Sequence, residues 1–322
     1  MPSITTRYIF EVPLKPVTGE VFQPTGFPDI GHAIFERPGK GGQQSLLVES
    51  TQSMANRLEA VAWNEAHRQP HEAINKLPWI EVRDSKNDEY LTSSRTEAHR
   101  LASAFIKDSS HPEDSSKDMV DYIRDLLQLK DDRPFSNHQI AQNIFILDPL
   151  CLIHGVFFAD KKWPGQPKVA RSISACIEAD DVIAAHSGGV KRDHVRHSIG
   201  EAQGGSAEGY GSIPFRRTEF VANKITARFV IDRTQIKSYG LSDEATQLLE
   251  TLALWEIIKL LSEPMRLRTA CDLEVVDGIA DQEGQQPPTL EELEKKLQKL
   301  SDSTPELKEV AVPLVIKWPK GK

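Results

Sequence analysis

An α+β fold, one sheet domain with long insertions, is what the sequence predicts, and three observations carry it. Strand-like and helix-like stretches alternate along the chain, but without the even βαβ rhythm of a doubly wound sheet. A long polar stretch, residues 64–145, separates the more apolar parts. Residues 241–262 carry a clear helix signature, with Ser242 as cap, Asp243 and Glu244 in the first turn, and Pro264 as the stop. Its buried stripe is Leu248, Leu249, Leu252, Trp255 and Ile258.

The remaining elements follow in order. Tyr8, Phe10, Val12 and Leu14 alternate with polar positions, which predicts a first strand. Residues 22–28, with two prolines and Gly26, form a loop or irregular edge, and residues 38–44 a turn. Leu46, Leu47 and Val48 make a short buried strand, and Met54, Leu58 and Val61 recur at helical spacing directly after it. Within 64–145, helical pieces are expected at 94–105 and 117–129, with a serine-rich mobile stretch at 107–116 between them. Residues 144–159 read as strands with a central break, 160–166 as a linker, and 169–179 as a strand ending in Asp180 and Asp181. A glycine-rich irregular stretch, 186–211, precedes an alternating strand over 216–232. Residues 281–288 are a linker, 289–300 a surface helix opened by a Thr289–Glu292 capping box, and 310–318 a last strand.

Composition limits the function classes. No stretch is long and apolar enough to span a bilayer, the first residues lack a secretory pattern, and three widely spaced cysteines suit a reducing cytosol. A cytoplasmic protein is expected. The net charge of −8 argues against a general polyanion binder. Yet residues 161–237 hold 13 Lys or Arg against 8 Asp or Glu, while the rest holds 26 against 39, so a local basic groove remains open.

The strand-to-helix step at residues 45–63 is the strongest site signal. Ser50, Thr51 and Ser53 crowd the first turn of the helix, where free amides and the dipole favour an anion. Gln52, Asn56 and Arg57 offer further donors to a phosphate. The plainer alternative is that Ser50 or Thr51 only caps the helix and Arg57 pairs with Glu49 or Glu59. A second set is cationic: Lys168, Arg171, Lys191, Arg192, Arg196, Arg216, Arg217, Lys224 and Arg228, near Phe215, Phe220 and Phe229. Lys and Arg suit phosphates, and aromatic faces suit splayed bases, although solvated strand faces give the same pattern.

Catalytic patterns are weak. The stretch 204–211 is glycine-rich but lacks the Gly-Lys-Ser/Thr ending of a phosphate loop. His186, His194 and His197 with Cys176 lack zinc-ligand spacing, as do His67, His71, His99, His111 and His138. Asp148, Asp180 and Asp181 are the best-placed carboxylates, but adjacent residues project differently, so no acid–base pair is evident. No cofactor, metal or catalytic residue is expected.

The sequence 50-STQSMANR-57 after a strand resembles the backbone subunit of CRISPR effector complexes, a RAMP-superfamily protein that polymerises along guide RNA. The flanking 22-FQPTGFPD-29 and 58-LEAV-61, then 188-GGVKRD-193, 214-PFRRTEF-220 and 266-RLRTACDL-273, look like the version in subtype I-G, formerly I-U. The resemblance covers most of residues 7–276. It implies a modified RNA-recognition-motif (ferredoxin-like) palm, with 64–145 as a helical finger-like insertion and 186–212 as a thumb-like glycine-rich loop. Residues 281–322 would be linker, surface helix and tail of this single subunit. The implied function is non-catalytic: copies line up head to tail on crRNA, hold its phosphates and present its bases to target DNA. Ser50, Thr51, Gln52, Ser53, Asn56, Arg57, Lys168, Arg171, Lys191, Arg192, Arg216 and Arg217 are then the expected RNA-binding residues, and other effector subunits the expected partners. A RAMP endoribonuclease, or an unrelated metabolic enzyme sharing the helix start by chance, are the competing readings. The acidic total charge and the lack of an RNP-type aromatic motif depart from an RNA binder's usual pattern.

Overall fold

The computed structural model describes residues 6–26, 31–39, 41–112, 117–191 and 213–319. Strand Arg7–Pro16 (β1) buries Phe10, Val12 and Leu14 on one face. Ile34–Glu36 (β2) and Gln44–Glu49 (β3) form a hairpin, and helix Thr51–Val61 (α1) follows at once, burying Met54, Ala55 and Leu58. An insertion comes next. It holds the ladder of Trp63–Asn64 (β4) with Gln69–Pro70 (β5) and the pair Ile80–Asp84 (β6) and Tyr90–Ser93 (β7). Helices Ala104–Lys107 (α2), Met119–Leu126 (α3), Asn137–Leu147 (α4) and Leu150–His154 (α5) complete it. After the ladder Val156–Phe157 (β8) with Lys168–Val169 (β9), the chain returns as Ile173–Asp180 (β10). It then leaves as a hairpin, Ile183–Lys191 (β11) and Ile213–Val221 (β12), and comes back as Lys224–Asp232 (β13). Helices Arg233–Ser238 (α6) and Asp243–Leu261 (α7), the hairpin Met265–Arg268 (β14) and Cys271–Val275 (β15), helix Leu290–Ser303 (α8) and strand Leu314–Trp318 (β16) close the chain.

The seven-stranded sheet runs β14-β15-β1-β13-β10-β3-β2, antiparallel at every step. Its middle, β15-β1-β13-β10, is joined in the chain order β1, α1, β10, β13, α7, β15. That is a β-α-β-β-α-β unit. Both helices lie on one face, α1 against β10 and α7, and α7 against β13. Phe10, Phe229 and Ala175 stand in register beneath them, with Val12, Ala227 and Ile177 in the next row. The opposite face carries the row Glu11, Arg228 and Cys176. Arg228 lies between Glu11, at 3.2 Å, and Glu178.

Several expectations need correction. Of residues 144–159 only Val156–Phe157 is strand; most of the rest is the apolar end of α4 and the fully buried α5, which adjoin without a polar face, so the helical period is hidden there. Residues 94–105 hold only a 3₁₀ turn, Arg100–Ala102, before α2. Local bonds such as Thr96 N to Ser93 Oγ at 3.2 Å, and Ser103 Oγ to Glu97 Oε2 at 2.9 Å, compete with helix there. The start of the expected glycine-rich loop, His186 to Lys191, is strand, with Gly188 and Gly189 opposite Arg216 and Phe215. The strand expected over 216–232 is two strands broken at Ala222 and Asn223, where the buried parity switches. Nor is the C-terminus a tail. Leu293, Leu297 and Leu300 of α8 are buried, and β16 pairs in parallel with β6, in the order β16-β6-β7.

Candidate functional site

Strand β3 delivers Ser50 in extended backbone (φ −76°, ψ 162°), and its Oγ accepts the Ser53 amide at 3.3 Å. The capping alternative is thus realised. Thr51, Gln52 and Asn56 are exposed, Ser53 is half-buried, and the first turn of α1 carries no acidic residue. Arg57 is the correction. Its Nε and Nη2 donate to Glu49 Oε2 at 3.2 and 3.0 Å, and Nη1 and Nη2 donate to the carbonyls of Arg266 and Leu267 at 3.2 and 3.0 Å. Glu49 is wholly buried and also accepts from Thr25 Oγ1 at 2.9 Å. The guanidinium therefore neutralises a buried carboxylate and fastens α1 to β14. It is not left facing a phosphate.

What Arg57 holds in place is a cation that the sequence reading passed over. Arg266 and Arg268 alternate on β14 with buried Met265 and Leu267, so both point outward. Arg268 Nη1 donates to the Pro24 carbonyl at 3.2 Å, and its charge, after burial, helps to lower the pKa of His32. Beside Arg266 runs a groove of about 490 Å³, lined among others by Arg57, Trp63, Asn64, His71 and Lys259. Burial first and Lys259 second push His71 below its ordinary pKa, so it is neutral at pH 7. No carboxylate lies within ion-pair distance of Lys259 or Arg266 among the described residues. The signal was legible in 266-RLR-268, where two cations alternate with an apolar residue.

The other expected contacts lie on separate elements. Lys168 of β9 sits over the Phe157 ring, 5.8 Å from its centroid, and Arg171 Nε donates to the His154 carbonyl at 3.2 Å. Lys191 and Arg216 are strand positions of the β11–β12 hairpin, and Arg217 lies 3.6 Å from Glu219. Arg192 and Arg196 fall outside the described residues. Phe220 and Phe229 are buried, so neither offers a ring for a base to stack on.

The carboxylates singled out for catalysis are all engaged. Asp148 is buried against Arg95 at 3.1 Å, Ser94 Oγ at 2.6 Å and the Leu150 amide at 3.1 Å. Asp180 and Asp181 share Arg37. Burial, then the Glu49 charge, pushes the Cys271 thiol up to about 12, and burial raises Cys151 and Cys176, so none is a ready thiolate. Among the described residues no group of three or more His, Cys, Asp or Glu is placed to hold a metal; His194 and His197 lie outside them.

Residues 9–184, more than half of the chain, match the family model described as CRISPR-associated protein GSU0053. The chain belongs to that CRISPR-associated family. The matched span of this CRISPR-associated chain runs from β1 through the helix start to β10, and leaves out β13, α7 and the arginines of β14. Among solved structures it is similar to a chain of "CRISPR RNA-guided surveillance complex, pre-nicking", at 11% identity and a TM-score of 0.40, over 83% of this chain and 74% of that one. It is also similar to "Crystal structure of Thermofilum pendens Csc2", at 9% identity and a TM-score of 0.31, over 92% and 77%. No curated protein matches. Among the described residues no helix is long and apolar enough to cross a membrane.

Proposed function

We propose that this chain is the backbone subunit of a type I CRISPR effector complex, of subtype I-G. It binds guide crRNA by its phosphates, lines up head to tail with further copies in the cytoplasm, and leaves the bases free to pair with target DNA. The chain itself cuts nothing. Membership of a CRISPR-associated family is the observation that carries this reading. The β-α-β-β-α-β sheet supports it as a ferredoxin-like palm, with the insertion between α1 and β10 as finger and the β11–β12 hairpin as thumb. Its helix-free face carries Glu11, Arg228 and Glu178 in mutual ion pairs rather than aromatic rings, so RNA is held elsewhere than on an RNP-type stacking platform. The exposed first turn of α1 offers amides and hydroxyls for phosphates, and the groove along its later part, Arg57 to Val61, adds the cations Arg266 and Lys259.

The test is to express the chain with a repeat–spacer transcript, purify it, and examine both mass and nucleic acid. A multi-copy species holding intact RNA of one length is expected. A monomer without RNA would sink the reading. Shortened RNA, with Mg²⁺-dependent cleavage lost in Asp180→Ala or Asp181→Ala, would put the endoribonuclease in its place.

A further inference from the structure

The β11–β12 hairpin joins the main sheet through two short links, residues 181–182 going out and 222–223 coming back. Asp181 takes a left-handed backbone (φ 55°), which a non-glycine residue holds only when its surroundings fix it. Arg37, on the turn between β2 and β3, supplies that fixing. Its Nη1 lies 3.4 Å from Asp180 Oδ2, and its Nη2 bonds Asp181 Oδ1. Ser45 Oγ donates to Asp180 at 2.7 Å, Asn223 Nδ2 to Asp181 at 3.4 Å, and the Val182 amide to the Gln44 carbonyl at 3.1 Å. On the returning strand, Phe22 and Phe220 exchange backbone hydrogen bonds of 2.9 and 2.8 Å. The hairpin's root is thus gripped from both sides by residues 22–45.

We infer that Arg37 is a positioning residue: its clasp on Asp180 and Asp181 sets the angle at which the hairpin leaves the sheet. With side chains only 26%, 21% and 27% exposed, the three charges interact more strongly than a surface pair would. The leverage is large. At about 3.3 Å per residue, Lys191 stands roughly 26 Å along β11 from Ile183, so a tilt of about 10° carries it about 5 Å. Phosphate contact made by Lys191 is lost over such a distance, while Arg216 and Arg217, opposite Gly188 and Ser187 about halfway along, shift by about half as much. The adjacent carboxylates therefore have a use other than catalysis. That last consequence rests on the proposed RNA-binding role, whereas the clasp itself does not.

Two spin labels test it, in a Cys176→Ser background, at the exposed positions Lys15→Cys on β1 and His186→Cys on β11. Wild-type Arg37 should give one narrow distance distribution, Arg37→Ala a broad one, and Arg37→Lys an intermediate one, since an ammonium keeps the charge but lacks the guanidinium's rigid planar fork. Asp181→Asn serves as the second variant and should broaden it as well. Guide-RNA affinity of Arg37→Ala should fall about tenfold with the salt slope unchanged, because no phosphate contact is removed. Unchanged narrow distributions in Arg37→Ala and Asp181→Asn would overturn the clasp. So would a salt slope reduced by about one unit in Arg37→Ala, which would make Arg37 itself a phosphate ligand. The distance measurement needs no RNA. A wild type that binds no RNA therefore defeats the proposed function and leaves the clasp to be judged by the labels.

Discussion

Glu49 ends β3 with its carboxylate wholly buried, and among the described residues Arg57 is its one cationic partner, at 3.0 Å. Breaking a buried pair strands a charge, at a cost of about 3–5 kcal/mol; Arg57 remains a quarter exposed, so water recovers part of that. Arg57→Ala should lower stability by about 2–3 kcal/mol in chemical denaturation while leaving the salt slope of RNA binding alone. Arg266→Ala should do the reverse, holding stability and lowering the slope by about one unit. If the two variants exchange these signatures, Arg57 is the phosphate ligand after all. A second residue pair sets a pH response. His154 Nε2 lies 2.9 Å from Glu256 Oε2, both wholly buried, with the charges of Glu59, Arg100 and Arg95 acting on the pair. Burial alone would lower His154, but the Glu256 charge and hydrogen bond more than reverse it; burial also raises Glu256. Raised folded values mean that the native state holds these protons more tightly than the unfolded chain. For His154 the stabilisation is therefore complete below the ordinary histidine value of about 6.5 and is lost as pH rises through the folded one. The stability advantage of wild type over Glu256→Gln should shrink as the pH rises from the ordinary histidine value of about 6.5 through the raised folded one. A flat difference across that window would show that the pair does not bind its proton in this way.

At the scale of elements, α1 isolates what a cap contributes. Ser50 Oγ accepts the Ser53 amide, whereas Ser53 contributes to the cap only its backbone N–H. Ser50→Ala should thus cost about 1 kcal/mol and Ser53→Ala much less, in parallel melts. Equal losses would mean that the Ser53 hydroxyl has a role of its own. Caps also explain which elements were readable. Ser242 before α7 and the Thr289–Glu292 box before α8 were legible because one side chain states where a helix begins, and both are realised. The strand–helix step at Glu49 and Thr51 was legible through its abrupt change of period. By contrast, α5 is buried throughout and directly follows the apolar end of α4, Ile144 to Leu147, so the run from 144 carries no polar face to reveal the turn; the exposed Asn137, His138 and Gln142 of α4 lie before it. The hairpin strand β11 was hidden because Gly188 and Gly189 are read locally as loop, and only pairing with β12 makes them strand. The site was half legible for a related reason. The helix start and the Arg57–Glu49 pairing are local patterns, but the engagement of Arg57 by the carbonyls of Arg266 and Leu267 joins residues about 210 positions apart.

At the scale of the whole molecule, the insertion and the sheet do not form separate bodies. One continuous buried cluster runs from Phe10 and Val12 of β1, through Leu58 of α1 and Trp255 of α7, to Ile80, Val82, Ile123 and Ile316. Buried polar links run along the same seam, with Arg100 Nε 2.6 Å from Glu59 of α1 and His154 against Glu256 of α7. The C-terminal strand is part of this join. In register, Leu314 to Trp318 pair with Ile80 to Asp84, Ile316 is fully buried, and Lys317 accepts the Ser110 amide on its carbonyl at 3.0 Å. Ending the chain before Val312 removes the strand that, among the described residues, covers that side of β6, exposing its backbone edge and the apolar surface under Ile316. Were the insertion an independent unit, the damage would stay local and the palm would melt as before. Because the core is continuous, the truncated chain should still unfold in one transition, at a lower temperature, with faster amide exchange in β6 and β7 and also in α1 and α7. Two separate transitions, with α1 and α7 protected as in the full chain, would mean that the insertion folds on its own and that the shared core does not couple it to the sheet.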